Sequence, residues 1–310
     1  MSLKLELEDF EEPSDSDVEK SDNKATIPAK PTGILSSIKN TFTRPKCSSP
    51  PEESSFATHR NICRTFLVLK DFLQPDTTKS LEETALTLLS IIPDGKSRSA
   101  EIRSAGEVFI EVAGQVPYSH PSQLKLAALI KRLSWSDKFI SRPDEKGTIY
   151  SCGTLAETMG DSYYGPNDVD TQEWPNLSAF FAHIDALRIH TDRNTFAVRA
   201  MRDAFEREPE EVFTFPGKRD QCIIAAAQYV LWNGQNLFTA TQYCGDVSDP
   251  RPWSDEGLYR GELGQNLQRW RFWKAGFHSA ADDSALGNEA RDIARRSASL
   301  MEVFEGSMLF

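Results

Sequence analysis

The stretch Gln221–Phe238, QCIIAAAQYVLWNGQNLF, constrains this chain more than any other. Between Cys222 and Trp232 its one polar residue is Gln228, and a helix that is apolar on all sides must be enclosed by other elements. The stretch therefore predicts the central helix of a core. Some thirty residues on, Leu267–Phe277, LQRWRFWKAGF, carries two of the six tryptophans and two phenylalanines and is its natural packing partner.

The flanking segments extend this helical pattern. Apolar residues at helical spacing predict helices over His59–Leu73, Ala100–Ala113, Pro121–Leu133, Pro175–His190, Arg193–Glu208, Leu263–Ala281 and Leu286–Phe304. Ser80 and Glu83 form an S-x-x-E capping pattern, which starts another helix near Leu81 that stops before Pro93. Val212–Phe215, VFTF, is the best β candidate, but between a helix and Pro216 it reads as an extended connector. The expected fold class is all-α, a single large domain over 58–305 of roughly nine to ten helices around a buried central helix.

Three regions break the pattern. Residues 1–55 are rich in Ser, Pro, Glu and Asp and poor in aromatics, which predicts a disordered acidic tail. Within it, Ile34–Phe42 places Ile34, Leu35, Ile38 and Phe42 on one helical face and reads either as linker or as a segment that folds onto a protein partner. Residues 134–173 and 245–262 are irregular but aromatic, and the first is the candidate lid.

Several function classes are excluded on composition. A net charge of −11 without a basic cluster argues against nucleic acid and against anionic membranes. Residues 1–10 lack a secretory pattern and no run approaches 18 apolar residues, so a soluble cytoplasmic protein is expected. Five scattered cysteines without a C-x-x-C pair read as reduced thiols.

The search for a reaction finds no motif. His183 and His190 stand two turns apart on a helix, about 10 Å along its axis, too far to share a metal ion. The acids Asp161, Asp168, Asp170 and Glu173 lack the spacing and central glycine of a calcium loop. Asp282–Asp283 lacks the third acid of a magnesium-dependent cyclase motif. Dinucleotide, P-loop and serine-hydrolase signatures are missing. Cys222 and Cys244 flank the central helix, and Cys in such a setting reads as an inert buried thiol rather than a nucleophile paired with His278. No metal or cofactor is expected. What remains is the aromatic material. Two-sided packing in a large helical core accounts for it; the sharper reading is an apolar interhelical pocket for a hydrophobic small molecule, with Gln228 on its floor, walls of Trp232, Trp270, Trp273 and Phe277, Tyr163 and Tyr164 on the lid, and Arg269 as a polar handle.

The succession WPNLSAFFAHIDALRIHTDRNTFAVRAMRDAFE (Trp174–Glu206), AAAQYVLWNGQNLF (Ala225–Phe238), RWRFWKAGF (Arg269–Phe277) and a last helix ending SLMEVFE resembles the DUF3632 family of helical proteins over roughly Thr58–Glu305. The resemblance implies an intracellular all-α domain, a filamentous-fungal source and proximity to secondary-metabolite gene clusters; it assigns no catalytic residue. Two functions fit. One is a cofactor-independent cyclase or isomerase of fungal secondary metabolism, which works by positioning a hydrophobic intermediate between aromatic walls and leaves no nucleophile motif. The other is a non-catalytic binding or scaffold protein. The first requires a closed apolar cavity beside Trp270 and Trp273, the second an exposed apolar patch.

Overall fold

A computed structural model describes residues 2–7, 53–92, 100–139, 153–189, 194–208, 213–242 and 257–307. Among these there are ten helices and no strand: α1 (Glu53–Phe72), α2 (Leu81–Ile91), α3 (Ala100–Gln115), α4 (Ser122–Leu133), α5 (Gly153–Asp161), α6 (Glu173–Ala186), α7 (Thr195–Phe205), α8 (Lys218–Ala240), α9 (Leu267–Asp282) and α10 (Asn288–Ser307). The fold is all-α as expected. Val212 of the β candidate lies outside the described residues, and 213–215 form no strand.

The central helix is α8. Every side chain from Gln221 to Val230 is buried, enclosed by α6, α7, α9 and α10. The first half of the chain packs around α3, which touches α1, α4, α5 and α6. Helix α6 therefore belongs to both groups and joins them, and its buried face is nearly continuous from Trp174 to Asp185. One apolar cluster runs through both groups, from Phe66 and Phe109 to Trp270 and Met301.

Local signals explain the helix boundaries. At α2 the Glu83 amide donates to Ser80 Oγ (3.2 Å) and the Ser80 amide to Glu83 Oε2 (2.9 Å), so the capping box closes in both directions. Helix α9 starts at Leu267 rather than at the expected Leu263, because Asn266 is extended and its Oδ1 accepts from the Arg269 amide at 2.8 Å. Helix α6 ends before the predicted His190, where Arg188 turns into a left-handed conformation (φ 53°).

Two irregular regions are more ordered than their composition implies. Of 134–173, residues 153–161 form α5 against α3, and 162–172 form a loop fixed by side chains. Asn167 Oδ1 accepts from the amides of Val169 and Asp170, Asp170 Oδ1 from those of Gln172 and Glu173, and Gln221 of α8 donates to the Asn167 carbonyl. A loop held in this way is a fixed connector; residues 140–152 lie outside the described residues. Most of the acidic segment 1–55, including Ile34–Phe42, is likewise outside them. Its described part, 2–7, is extended and packed on the body, with Leu5 only 1% exposed.

No helix among the described residues is long and apolar enough to cross a membrane.

Candidate functional site

The structure distributes the eight candidate pocket residues over four places, and α9 supplies the first. From this helix Arg269, Trp270, Trp273 and Phe277 all point inward and are fully buried. Arg269 forms a bidentate pair with Glu206, at the end of α7, through Nε to Oε1 (2.7 Å) and Nη2 to Oε2 (2.6 Å). The indole of Trp273 donates to the same Oε1 at 2.7 Å, and Arg202 Nε stands 3.4 Å from Oε2. Beneath the guanidinium lies the ring of Tyr259, 4.8 Å away. Three hydrogen bonds and the Arg202 ion pair thus hold the Glu206 carboxylate. This carboxylate is a lock between α7, α9 and the 257–266 loop, both of its oxygens engaged by protein donors. Trp270 packs on Phe238 (5.1 Å between ring centroids) and Phe277 on Phe205 (4.6 Å). These side chains fill the space that the pocket reading gave to a ligand.

The second place is the middle of α8. Gln228 is fully buried, and its hydrogen bonds are made inside the protein: Nε2 donates to the Ile224 carbonyl (3.1 Å) and Oε1 accepts from the Trp232 indole (3.0 Å). Trp232, expected inside, is 43% exposed, because all-round coverage of α8 ends at Val230 and beyond it only the face of Asn233, Gly234, Leu237 and Phe238 is buried. Its ring lies against His183 of α6, 4.6 Å between centroids. Burial pushes the His183 imidazole down to about 4, so it is neutral at physiological pH and serves as a flat apolar seat. Around Trp232 the α8 surface is polar: Gln235 and Thr239 are exposed, and Asn236, one turn on, donates to Asn233 Oδ1 at 2.8 Å. Asn233 in turn donates to Asn194 (3.3 Å), and Gln265 Nε2 donates to the Leu237 carbonyl (2.7 Å).

Tyr163 and Tyr164 occupy the third and fourth places. Tyr163 turns into the core between Trp174 (4.7 Å) and Phe196 (4.9 Å), and its hydroxyl donates to the Phe196 carbonyl at 3.2 Å. Tyr164 faces solvent and donates to Glu173 Oε1 at 2.9 Å. A cavity of about 10 Å³, room for one water, lies between α1, α2 and α3, and an open cleft of about 420 Å³ runs beside residues 4–7; none of the eight candidates lines either.

Catalytic groups fare similarly. The Cys222 thiol is pushed up to about 12 by burial, which keeps it protonated, and His278 sits on α9 beside Glu302 (2.9 Å) rather than beside it. Cys244 and His190 lie outside the described residues. Among the described residues no three His, Cys, Asp or Glu side chains converge as metal ligands. Sequence reading missed Glu206, whose neighbours in EREPEEV read as a solvated acidic stretch, and it missed the seat that His183 provides for Trp232.

Comparison with curated proteins and with solved structures found no match. Residues 107–277, from within α3 to within α9, match the model of a family described as a protein of unknown function, DUF3632; the match spans α8, the Glu206 lock and the Trp232 face, stops short of both ends of the expected 58–305, and covers more than half of the chain, which therefore belongs to the DUF3632 family.

Proposed function

We propose that this protein is a non-catalytic helical binding protein that docks a protein partner on the α8 face centred on Trp232. The observation that carries the reading is the contrast among the aromatics. Trp270, Trp273 and Phe277 are consumed by core packing, whereas Trp232 is presented at the surface with its orientation fixed from two sides, by Gln228 and by the His183 ring. A rigid exposed indole within a polar surround has the make-up of an interface anchor, since large area is offered at little loss of side-chain freedom. The competing reading, a cofactor-free cyclase or isomerase, needs a ligand-sized cavity among side chains that here contact one another.

The experiment compares a strain lacking the protein with strains carrying the intact chain or Trp232→Ala. The expected result is an unchanged metabolite profile in the lacking strain, and a proximity-labelled partner that is present with the intact chain and lost with Trp232→Ala. Accumulation of a metabolite that the purified protein then converts would overturn the binding reading in favour of the enzyme.

A further inference from the structure

Residues 2–7 are held on the body as a bound peptide is held. The side chains alternate: Leu3, Leu5 and Leu7 face the body, with Leu5 buried among core residues, while Lys4 and Glu6 face solvent and the exposed Ser2 donates its hydroxyl to Gln74 Oε1 (3.0 Å). Two glutamine carboxamides read the backbone. At Gln74, just past α1, Oε1 accepts from the Leu3 amide (2.9 Å) and Nε2 donates to the Leu3 carbonyl (3.0 Å). At Gln115, the last residue of α3, Oε1 accepts from the Glu6 amide (2.7 Å) and Nε2 donates to the Glu6 carbonyl (2.7 Å). Each carboxamide pairs with both polar groups of one residue, as a neighbouring strand would. Gln74 Nε2 also donates to the Lys70 carbonyl of its own helix (3.0 Å), which fixes the amide before any segment arrives.

We propose that the groove between the ends of α1 and α3 is a docking site for an extended peptide with leucine at alternate positions, Leu-x-Leu-x-Leu, that residues 2–7 are its resident occupant, and that a partner protein presenting such a segment displaces them. Backbone hydrogen bonds supply affinity without regard to sequence, and the inward positions supply the selection. The x positions carry little selection, because the Lys4 and Glu6 side chains are 93% and 76% exposed and their own ion pair is a long 3.9 Å. Residues 8–52 join the occupant to the body, so its competition is intramolecular and set by the tether rather than by protein concentration. The open cleft of about 420 Å³ lined by Lys4, Glu6, Leu7, Glu111 and Gln115 runs along the occupant and gives an incoming peptide a place to start. The site is separate from the Trp232 face, and its test reads peptide affinity in vitro, so either proposal can fail alone.

The probe is a fluorescent synthetic peptide of residues 2–8, titrated by anisotropy into the intact chain, a chain lacking 2–7, and a full-length Leu5→Asp chain that empties the groove while keeping every residue tethered. Helicity by circular dichroism identifies which emptied chain is folded, and that chain is used. Saturable binding to the emptied chain is expected, at least about tenfold tighter than to the intact chain. Leu5→Asp in the peptide, or Gln74→Ala with Gln115→Ala in the emptied chain, weakens it about tenfold or more, whereas Ala at both peptide x positions changes it less than about threefold. Absence of saturable binding to a folded emptied chain, or equal binding to intact and emptied chains, overturns the site. A dimer of the intact chain that dissociates when 2–7 are removed overturns the partner assignment, since the occupant then comes from a second copy.

Discussion

Arg269 and Glu206 face each other across 63 residues of chain, with both side chains at most 2% exposed and two hydrogen bonds of 2.7 and 2.6 Å between them. Two charges are taken out of water here, and their attraction offsets the desolvation only while both remain. Removal of one leaves the other buried and uncompensated. Arg269→Met and Glu206→Leu are each expected to destabilise the fold by about 3–5 kcal/mol in urea unfolding. The double variant removes the buried pair and leaves the Trp273 indole without its acceptor and the 12%-exposed Arg202 without this counter-charge, a smaller cost of about 1–3 kcal/mol. A double variant less stable than both singles would mean that the pair does not act as a unit.

The same lock makes a prediction about glycine. Gly257 has φ 138°, and a Cβ there would sit 2.2 Å from the Glu206 carbonyl oxygen, the acceptor of the Leu258 amide. That neighbour is backbone and cannot rotate away. Gly257→Ala combines left-handed strain with a clash and should cost about 3 kcal/mol or more. Gly217, before α8, also has positive φ (81°) but open space around it, so Gly217→Ala should cost only the conformational strain, about 1–2 kcal/mol. Comparable losses in thermal unfolding would remove the steric part of the argument.

How much of this was legible beforehand follows from the range over which each signal acts. The nearly unbroken apolar run behind the burial of Gln221–Val230 and the periodic inward stripe of α9 each extend over several turns, and such patterns survive without knowledge of neighbours. The Ser80–Glu83 cap is local and equally readable. Glu206 was not readable, because what makes it a core residue is a guanidinium 63 positions later. Trp232 continues an apolar run, and only the arrangement of the other helices leaves it uncovered. The leucines at 3, 5 and 7 alternate with period two beside an acidic stretch, and without Gln74 and Gln115 in view that pattern reads as part of a solvated tail. Helix α5 is nine residues long, too short for its periodicity to stand out.

His183 gives the fold a pH dependence of known sign. Burial holds its folded-state value at about 4, against 6.5 for an ordinary imidazole. As pH falls through 6.5 the unfolded chain takes up a proton that the folded chain refuses, so stability is lost between about pH 6.5 and 4 and levels off below. The size is on the order of 3 kcal/mol. Burial of the Asp203 carboxyl raises its value and acts in the opposite direction, so the test is a difference. Urea unfolding of the intact protein and of His183→Gln from pH 4 to 7.5 should diverge across this window. Parallel profiles would show that His183 titrates alike in both states.

The two tryptophans on either side of the surface should separate stability from binding. Trp270 is fully buried against Phe238 and Phe304, so Trp270→Ala opens a large cavity and should cost about 3–5 kcal/mol. Trp232→Ala removes an exposed ring and leaves Gln228 Oε1 short of one donor that water can replace, a cost of about 1 kcal/mol, or some 2–4 °C in melting temperature. If Trp232 is an interface anchor, this mild variant is the one that loses the partner, by about 2 kcal/mol or more of binding free energy. The pair is measured by thermal unfolding together with partner titration by calorimetry. A Trp232→Ala protein that unfolds like Trp270→Ala would make Trp232 a core residue, and one that binds its partner like the intact protein would move the docking face away from α8.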